Sequence, residues 1–207
     1  MQEIQFNASR NLSSQAMLAH ICRATRLLNI KVGLLFFCAF LVSLSGRTQS
    51  LSTTDIKDLM VKDWERAKLF TIDYLNAMPA EKYSFKAVDS IRSFGAQMLH
   101  LAWVNVAIVG LAAGQAPLPW AQPALQSRKS AENKDSVFYY VSQSYDYCIN
   151  AVKNLDISKW GEKVKYREYE GTRFDFINKM FEHQTHMRGQ TAIYIRLQGI
   201  RPPQERF

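Results

Sequence analysis

The sequence predicts an all-α protein, a four-helix bundle preceded by a signal peptide. Three observations support this prediction: four long stretches repeat apolar residues every three or four positions, the region after the N-terminus shows no sustained strand alternation, and one uncharged apolar run lies near the N-terminus. The chain has 207 residues, of which 47% are hydrophobic and 21% charged. This composition suits one compact domain and does not favour intrinsic disorder. We expect the bundle to span residues 51–207, after an N-terminal extension and signal peptide in residues 1–50.

The N-terminal apolar run is Val32–Leu44, which carries no charge. It follows several basic residues, the last of them Lys31, and is followed by small residues. This order is typical of a secretory signal peptide, whereas a permanent transmembrane helix needs about 20 apolar residues. We therefore expect an exported, periplasmic protein, cleaved after Ser45 or Ser50, with no stable membrane span after cleavage.

Removal of the signal changes the charge and the cysteine content. The chain has 26 basic and 18 acidic residues, and residues 1–49 hold five of the former and one of the latter, so the expected mature chain carries 21 and 17, a net charge of +4. This modest excess does not favour nucleic acid as a partner. Only Cys148 follows the signal, so no internal disulfide can form. A homodimer is one assembly open to such a bundle.

The first predicted helix runs from about Asp55 to Met78, and Ser52 with Asp55 has the spacing of a capping box. The second runs from about Val88 to Ala113 and is apolar enough to be buried on most sides. Residues 114–129 then form a loop without regular structure, because glycine and proline recur there.

The third predicted helix runs from about Ala131 to Leu155, with Ser130 as its cap. Residues 156–171 are charged and aperiodic, which predicts an exposed connection. The fourth helix runs from about Arg173 to Leu197, after a second capping box at Thr172 and Asp175.

The fourth helix has an inner stripe at strict four- and three-residue steps. Two of its central members, His183 and Gln190, are polar, and buried polar groups need a partner. The stripe comprises Phe176, Met180, His183, Met187, Gln190, Tyr194 and Leu197.

Three histidines follow the signal: His100 at the middle of the second helix, and His183 and His186 on the fourth. An antiparallel or crossed pairing of these helices would bring His100 opposite His183, and on an ideal helix His186 lies about 60° from His183. Imidazoles that converge from two helices suit a zinc, nickel, iron or copper ion. We predict one divalent metal ion held by these three histidines. The alternative is a set of hydrogen-bonded core histidines.

Two sulfur-containing side chains, those of Met187 and Cys148, are expected to have structural roles. Met187 is expected to fill the core rather than bind copper, because methionine packs irregular gaps well. Cys148 is expected to be a buried thiol rather than a nucleophile, because no histidine lies on its helix.

The string from His183 through His186 to Arg188-Gly189-Gln190 resembles the last helix of the DinB/YfiT-like superfamily, and Met98-Leu-His100 resembles its second-helix motif. The resemblance covers about residues 55–203. It implies a four-helix bundle with a divalent metal bound by three histidines. Members of that superfamily include thiol-dependent transferases and isomerases, and proteins assigned as metal-dependent hydrolases.

One position departs from that pattern. The superfamily places its third ligand directly before the Arg-Gly-Gln triplet, where this chain has Met187, and His186 stands one residue earlier. Either His186 takes over as ligand or the site has two histidines. For the triplet we expect a structural ion pair for Arg188, close helix approach at Gly189, and a ligand-orienting role for Gln190.

Two functions from different classes follow. The first is a metal-dependent hydrolase or thiol-dependent transferase acting on a small molecule, in which the ion serves as a Lewis acid. No general base can be named, because Glu182 projects about 100° from His183. The second is a non-catalytic periplasmic bundle that binds metal or a small ligand. DNA binding is disfavoured by export and by the modest mature charge.

Overall fold

The computed structural model describes residues 50–206, so the predicted signal peptide lies outside the described residues. Four long helices are present: α1 (Thr53–Ala77), α2 (Phe94–Ala113), α3 (Lys134–Asn154) and α4 (Arg173–Arg196). A two-stranded antiparallel sheet, β1 (Lys163–Tyr166) and β2 (Tyr169–Thr172), lies between α3 and α4. The predicted helical fold is confirmed.

Capping boxes fix the starts of α1 and α4 as predicted. The Ser52 hydroxyl accepts from the Asp55 backbone N–H, and the Asp55 carboxylate accepts from the Ser52 backbone N–H. Thr172 and Asp175 make the same reciprocal pair. These bonds satisfy amide groups that a helix start otherwise leaves unpaired, and each cap is worth about 1 kcal/mol.

Helix α2 is the central helix, packed against both α3 and α4. It is long and apolar enough to cross a membrane by composition alone, yet 72% of its most apolar window is buried inside the bundle. Its apolar side chains join one core with those of the other helices, including the fully buried Trp64 of α1, whose ring meets Tyr145 and Phe181 edge-on. Burial among helices accounts for its apolar character.

Two helix starts differ from prediction, because the capping side chains lie further along the chain. Helix α2 begins at Phe94 rather than Val88, since Ser93 accepts from the Ala96 backbone N–H and donates to the Glu132 carboxylate (2.7 Å). Helix α3 begins at Lys134 after an Asn133 cap, not after Ser130. Residues 88–93 therefore form a turn segment at one end of α2.

The connections contain regular structure that the sequence did not indicate. After α2, one short 3₁₀ helix, Pro123–Ser127, interrupts the predicted loop. A second, Lys129–Ala131, runs from the end of that loop to the predicted start of the third helix. The predicted irregular segment 156–171 contains the hairpin, whose register pairs Lys163 with Thr172 and Tyr166 with Tyr169. Strands of four residues lie at the lower limit of the length over which alternation predicts a strand.

The buried face of α4 is rotated from the predicted stripe. Phe176, Met187 and Tyr194 are buried as expected, but Gln190 is exposed and Leu197 is 54% exposed. The helix contacts α1 as well as α2, so its buried face is wider than one seam. The additional buried residues are Ile177, Gln184, Arg188, Thr191 and Ile195.

Candidate metal centre

Helices α2 and α4 run antiparallel where they meet. A hydrogen bond from Gln97, near the start of α2, to Gln190, near the end of α4, shows this direction. This pairing places His100 opposite His183, with ring centroids 5.5 Å apart. The predicted opposition of the two histidines is confirmed. Trp103 lies edge-on to the His100 ring at 5.7 Å.

His100 is half-buried and is held by a residue from the loop that follows α2. Its Nδ1 lies 2.7 Å from Gln126 Oε1, and the same oxygen accepts from Arg92 Nε at 3.0 Å. Because Arg92 Nε can only donate, the Gln126 atom it contacts is the amide oxygen, and an oxygen accepts from His100 Nδ1, which therefore carries the hydrogen. In the neutral ring the lone pair is then on Nε2. An imidazole fixed through one nitrogen in this way presents the other as a ligand.

His183 has a different environment. Its Nδ1 is buried and has no hydrogen-bond partner among residues 50–206. Burial lowers the pKa of His183 to about 4, and the charges of His100, His186 and Arg92 act in the same direction. Burial is also the main cause that lowers the pKa of His100. Both rings are therefore neutral at neutral pH, the state in which imidazole binds metal.

His186 lies on the exposed side of α4. Its Nε2 is 2.9 Å from Gln190 Nε2, and the Gln190 oxygen accepts from the Gln97 amide. Gln190 therefore hydrogen-bonds His186 rather than a group at His100 or His183, which we call the histidine pair. Across the described part of the chain, no three His, Cys, Asp or Glu side chains stand close enough together to hold a metal. The three-histidine site stays a prediction, of which the structure brings together His100 and His183.

Met187, the residue at the departing position, is 5% exposed and belongs to the hydrophobic core. Its sulfur receives a weak bond from Gln97 Nε2 at 3.7 Å. Cys148 is fully buried, and burial raises the pKa of its thiol well above the ordinary value. Both residues occupy core positions, as predicted.

Two expectations for the Arg-Gly-Gln triplet are wrong. Arg188 makes no ion pair within residues 50–206; its Nη1 donates to Gln184 Oε1 (2.8 Å) and Thr71 Oγ1 (3.3 Å), and its guanidinium lies 4.5 Å from the Phe70 ring centroid. It faces α1 because the buried face of α4 extends that way. Gly189 borders open space, since a Cβ atom at this position would meet nothing within 4 Å, so no close helix approach explains the glycine.

A cleft of about 890 Å³ lies beside Gln126 and Gln190, which contact His100 and His186, although none of the three histidines lines it. It is bounded by the turn segment before α2, the 3₁₀ turn that carries Gln126, and the second half of α4. The cleft is lined by three residues that were not predicted from the sequence to belong to the site: Arg92, Gln97 and Gln126. Gln97 could have been found, since it is a polar residue one turn before His100 on an apolar helix; Gln126 gave no signal, because it comes from a loop.

The donor set fits a late first-row divalent metal ion. Two neutral imidazoles face each other, one of them oriented by Gln126, and the other has a buried nitrogen without a partner among the described residues. Nitrogen donors of this kind suit zinc, nickel or iron(II). The fit rests on two ligands, and His186 is the third ligand that the sequence predicts.

Comparison with known proteins agrees with the fold. Among curated proteins, none is similar enough to be matched. A DinB-like protein from Bacillus cereus is 13% identical with a TM-score of 0.61, over 70% of this chain and 94% of that one. A DinB-like protein from Bacillus subtilis, YjoA, is also 13% identical, with a TM-score of 0.55 over 72% of this chain and 96% of that one. At this identity the two structures establish the shared fold.

The family model described as "DinB family" matches residues 49–206, which is most of the chain and the whole of the helical bundle. The chain therefore belongs to the DinB family.

Proposed function

We propose that this protein binds one divalent transition-metal ion through His100 and His183, with His186 as the third ligand. The observation that carries the proposal is the pair of facing, neutral imidazoles at 5.5 Å. A nonpolar bundle gains nothing from placing two desolvated rings together unless something satisfies their nitrogens. The buried Nδ1 of His183, unpartnered among the described residues, supports the same proposal.

The ligand roles follow from the hydrogen bonds. His100 would use Nε2, because Gln126 occupies Nδ1. His186 would have to release its bond with Gln190, a change that its exposed position permits. Gln190 would then be free to orient a metal ligand, the role expected from the sequence.

The activity we propose is that of a metal-dependent hydrolase or thiol-dependent transferase acting on a small molecule in the cleft. The bound ion would supply Lewis-acid chemistry. The residues of this chain would hold the substrate beside the histidine pair, and the wall formed by Gln97, Gln126 and Gln190 offers neutral donors and acceptors for it.

A non-catalytic metal- or ligand-binding role is the second candidate. It is favoured by the exposed carboxylate of Glu182, which pairs with Lys179 at 3.0 Å and so does not serve the histidines as a base. Catalytic turnover of a small-molecule substrate by the metal-loaded protein would distinguish the enzyme from the binding protein.

The test is elemental analysis of the purified protein, prepared without chelator and again after reconstitution with zinc, nickel or iron(II). We expect close to one ion per chain. If the protein retains neither zinc, nickel nor iron(II) at micromolar concentration, the proposal is contradicted. The protein would then be a bundle with hydrogen-bonded histidines.

A further inference from the structure

Arg92 lies at the boundary between the cleft and the histidine pair. It is exposed, and its position is fixed from two sides: its carbonyl accepts from the Tyr194 hydroxyl (2.8 Å) and its Nε donates to Gln126 Oε1. One oxygen atom therefore links the Arg92 guanidinium to the His100 ring. Its positive charge also contributes to the low pKa of both His100 and His183.

The guanidinium has no carboxylate partner among residues 50–206, and its two terminal nitrogens make no hydrogen bond there. The other charged residues of the cleft are arranged differently. The Glu132 carboxylate pairs with Lys129 and accepts from the Ser93 hydroxyl, and Lys86 donates to the Asp89 carbonyl at 3.5 Å. The Asp89 carboxylate also lines the cleft and makes no ion pair among residues 50–206, so an anion at Arg92 would have to lie away from it. The Arg92 guanidinium is thus held in position beside the candidate metal centre. Among the described residues its two terminal nitrogens have no partner, so they can donate hydrogen bonds to a ligand.

The same cleft has apolar side chains at its rim. Ile91 is 37% exposed and Ile193 is 56% exposed, and both line the cleft. Exposed isoleucines at the mouth of a cleft favour a ligand with an apolar part. A planar guanidinium with free nitrogens matches the two oxygens of a carboxylate, or those of a phosphate.

We propose that the cleft binds a small anionic molecule with a short apolar part, and that Arg92 recognises its carboxylate or phosphate group. This inference rests on the proposed function for its claim that the bound molecule is a substrate. The anion would lie at Arg92, and the rest of the molecule would extend along the cleft toward Gln126, which contacts His100. Arg92 is then a specificity-determining residue, distinct from the metal ligands.

The experiment measures binding of four probes by saturation-transfer NMR: acetate, hexanoate, hexanamide and hexyl phosphate. Metal-free and zinc-loaded protein are both used. We expect hexanoate or hexyl phosphate, whichever oxyanion the site prefers, to bind at least about tenfold more tightly than hexanamide, as a charge-assisted bond requires. Acetate should bind more weakly than hexanoate, because it has no chain to contact Ile91 and Ile193, and equal binding would overturn the apolar part of the proposal.

Three variants locate the site. Arg92→Gln should lose about tenfold or more in affinity for the anion, and Arg92→Lys should fall between it and the unmutated protein, because lysine keeps the charge without the fork. Arg196→Gln, an exposed arginine near the end of α4, is the matched control and should bind normally. A thermal melt of each variant verifies folding.

The outcomes separate this inference from the proposed function. Equal binding of acid and amide by the unmutated protein, or unchanged binding by Arg92→Gln, would overturn the anion site even if zinc binds. Anion binding that needs zinc and ignores Arg92 would also overturn it, since the ion would then be the receptor. Failure to bind zinc, with Arg92-dependent anion binding intact, would refute the metal site alone.

Discussion

The imidazole rings of His100 and His183 face each other across α2 and α4 with centroids 5.5 Å apart, although the residues are far apart in sequence. Gln126 orients the first ring, while the second has a buried nitrogen without a partner among the described residues. The two facing rings are the basis of the metal proposal, and the unpartnered nitrogen of His183 supports it.

The free energy of unfolding of the metal-free protein should fall as the pH is lowered from about 6.5 to about 4. The pKa of His183 is about 4 when folded against an ordinary 6.5, so the unfolded chain takes up its proton first and protonation favours unfolding within this window. Below the folded pKa this residue causes no further loss. Urea unfolding across this range, with chelator present, measures the effect.

The matched variants are His183→Gln and His186→Gln. The first should reduce the pH dependence, because it removes the buried titrating group that faces His100, His186 and Arg92. The second removes an exposed ring and should leave most of the dependence. An unchanged slope in His183→Gln would show that other groups cause it.

Arg188→Ala should destabilise the fold by about 2–4 kcal/mol, because it removes a buried stem, leaves a cavity and abolishes the bonds to Gln184 and Thr71. Arg188→Met, which fills the same space without charge, should lose less. Arg196→Ala is the exposed control and should stay within about 0.5 kcal/mol of the unmutated protein. A loss in Arg188→Ala no larger than the control's would contradict this account of the network.

The sequence predicted the features that depend on local pattern. The capping boxes at Ser52 and Thr172 are set by residues three apart, and the meeting of His100 with His183 follows from helix periodicity and antiparallel pairing. What it missed depends on contacts between segments. Gln126 reaches His100 from a loop, and Arg188 is buried because α4 packs on α1 as well as α2.

Export is a prediction that lies outside the described residues. It rests on the apolar run Val32–Leu44 with basic residues before it and small residues after it. N-terminal sequencing of protein recovered from the source cell should begin between about Gly46 and Leu51. Recovery of the intact N-terminus on soluble cytoplasmic protein would contradict it.

The third ligand distinguishes two accounts of the site. If His186 turns toward the pair, His186→Ala should weaken metal binding as severely as loss of His100, and Met187→Leu should have little effect. If the site has two histidines, His186→Ala should bind nearly as the unmutated protein does. Met187→His should then strengthen binding, because it restores the superfamily's spacing at a buried position. Zinc competition against a chromophoric chelator measures all three.

The measurement that tests the central claim most directly is calorimetric titration of zinc into the purified protein and into His100→Ala and His183→Ala. We expect close to one site per chain in the unmutated protein, and the loss of most of the affinity in each variant, because either change leaves too few ligands for a stable site. Cys148→Ala is a control that removes a buried thiol and should keep the site. Full affinity in both histidine variants, or no binding by the unmutated protein at micromolar zinc, would contradict the account.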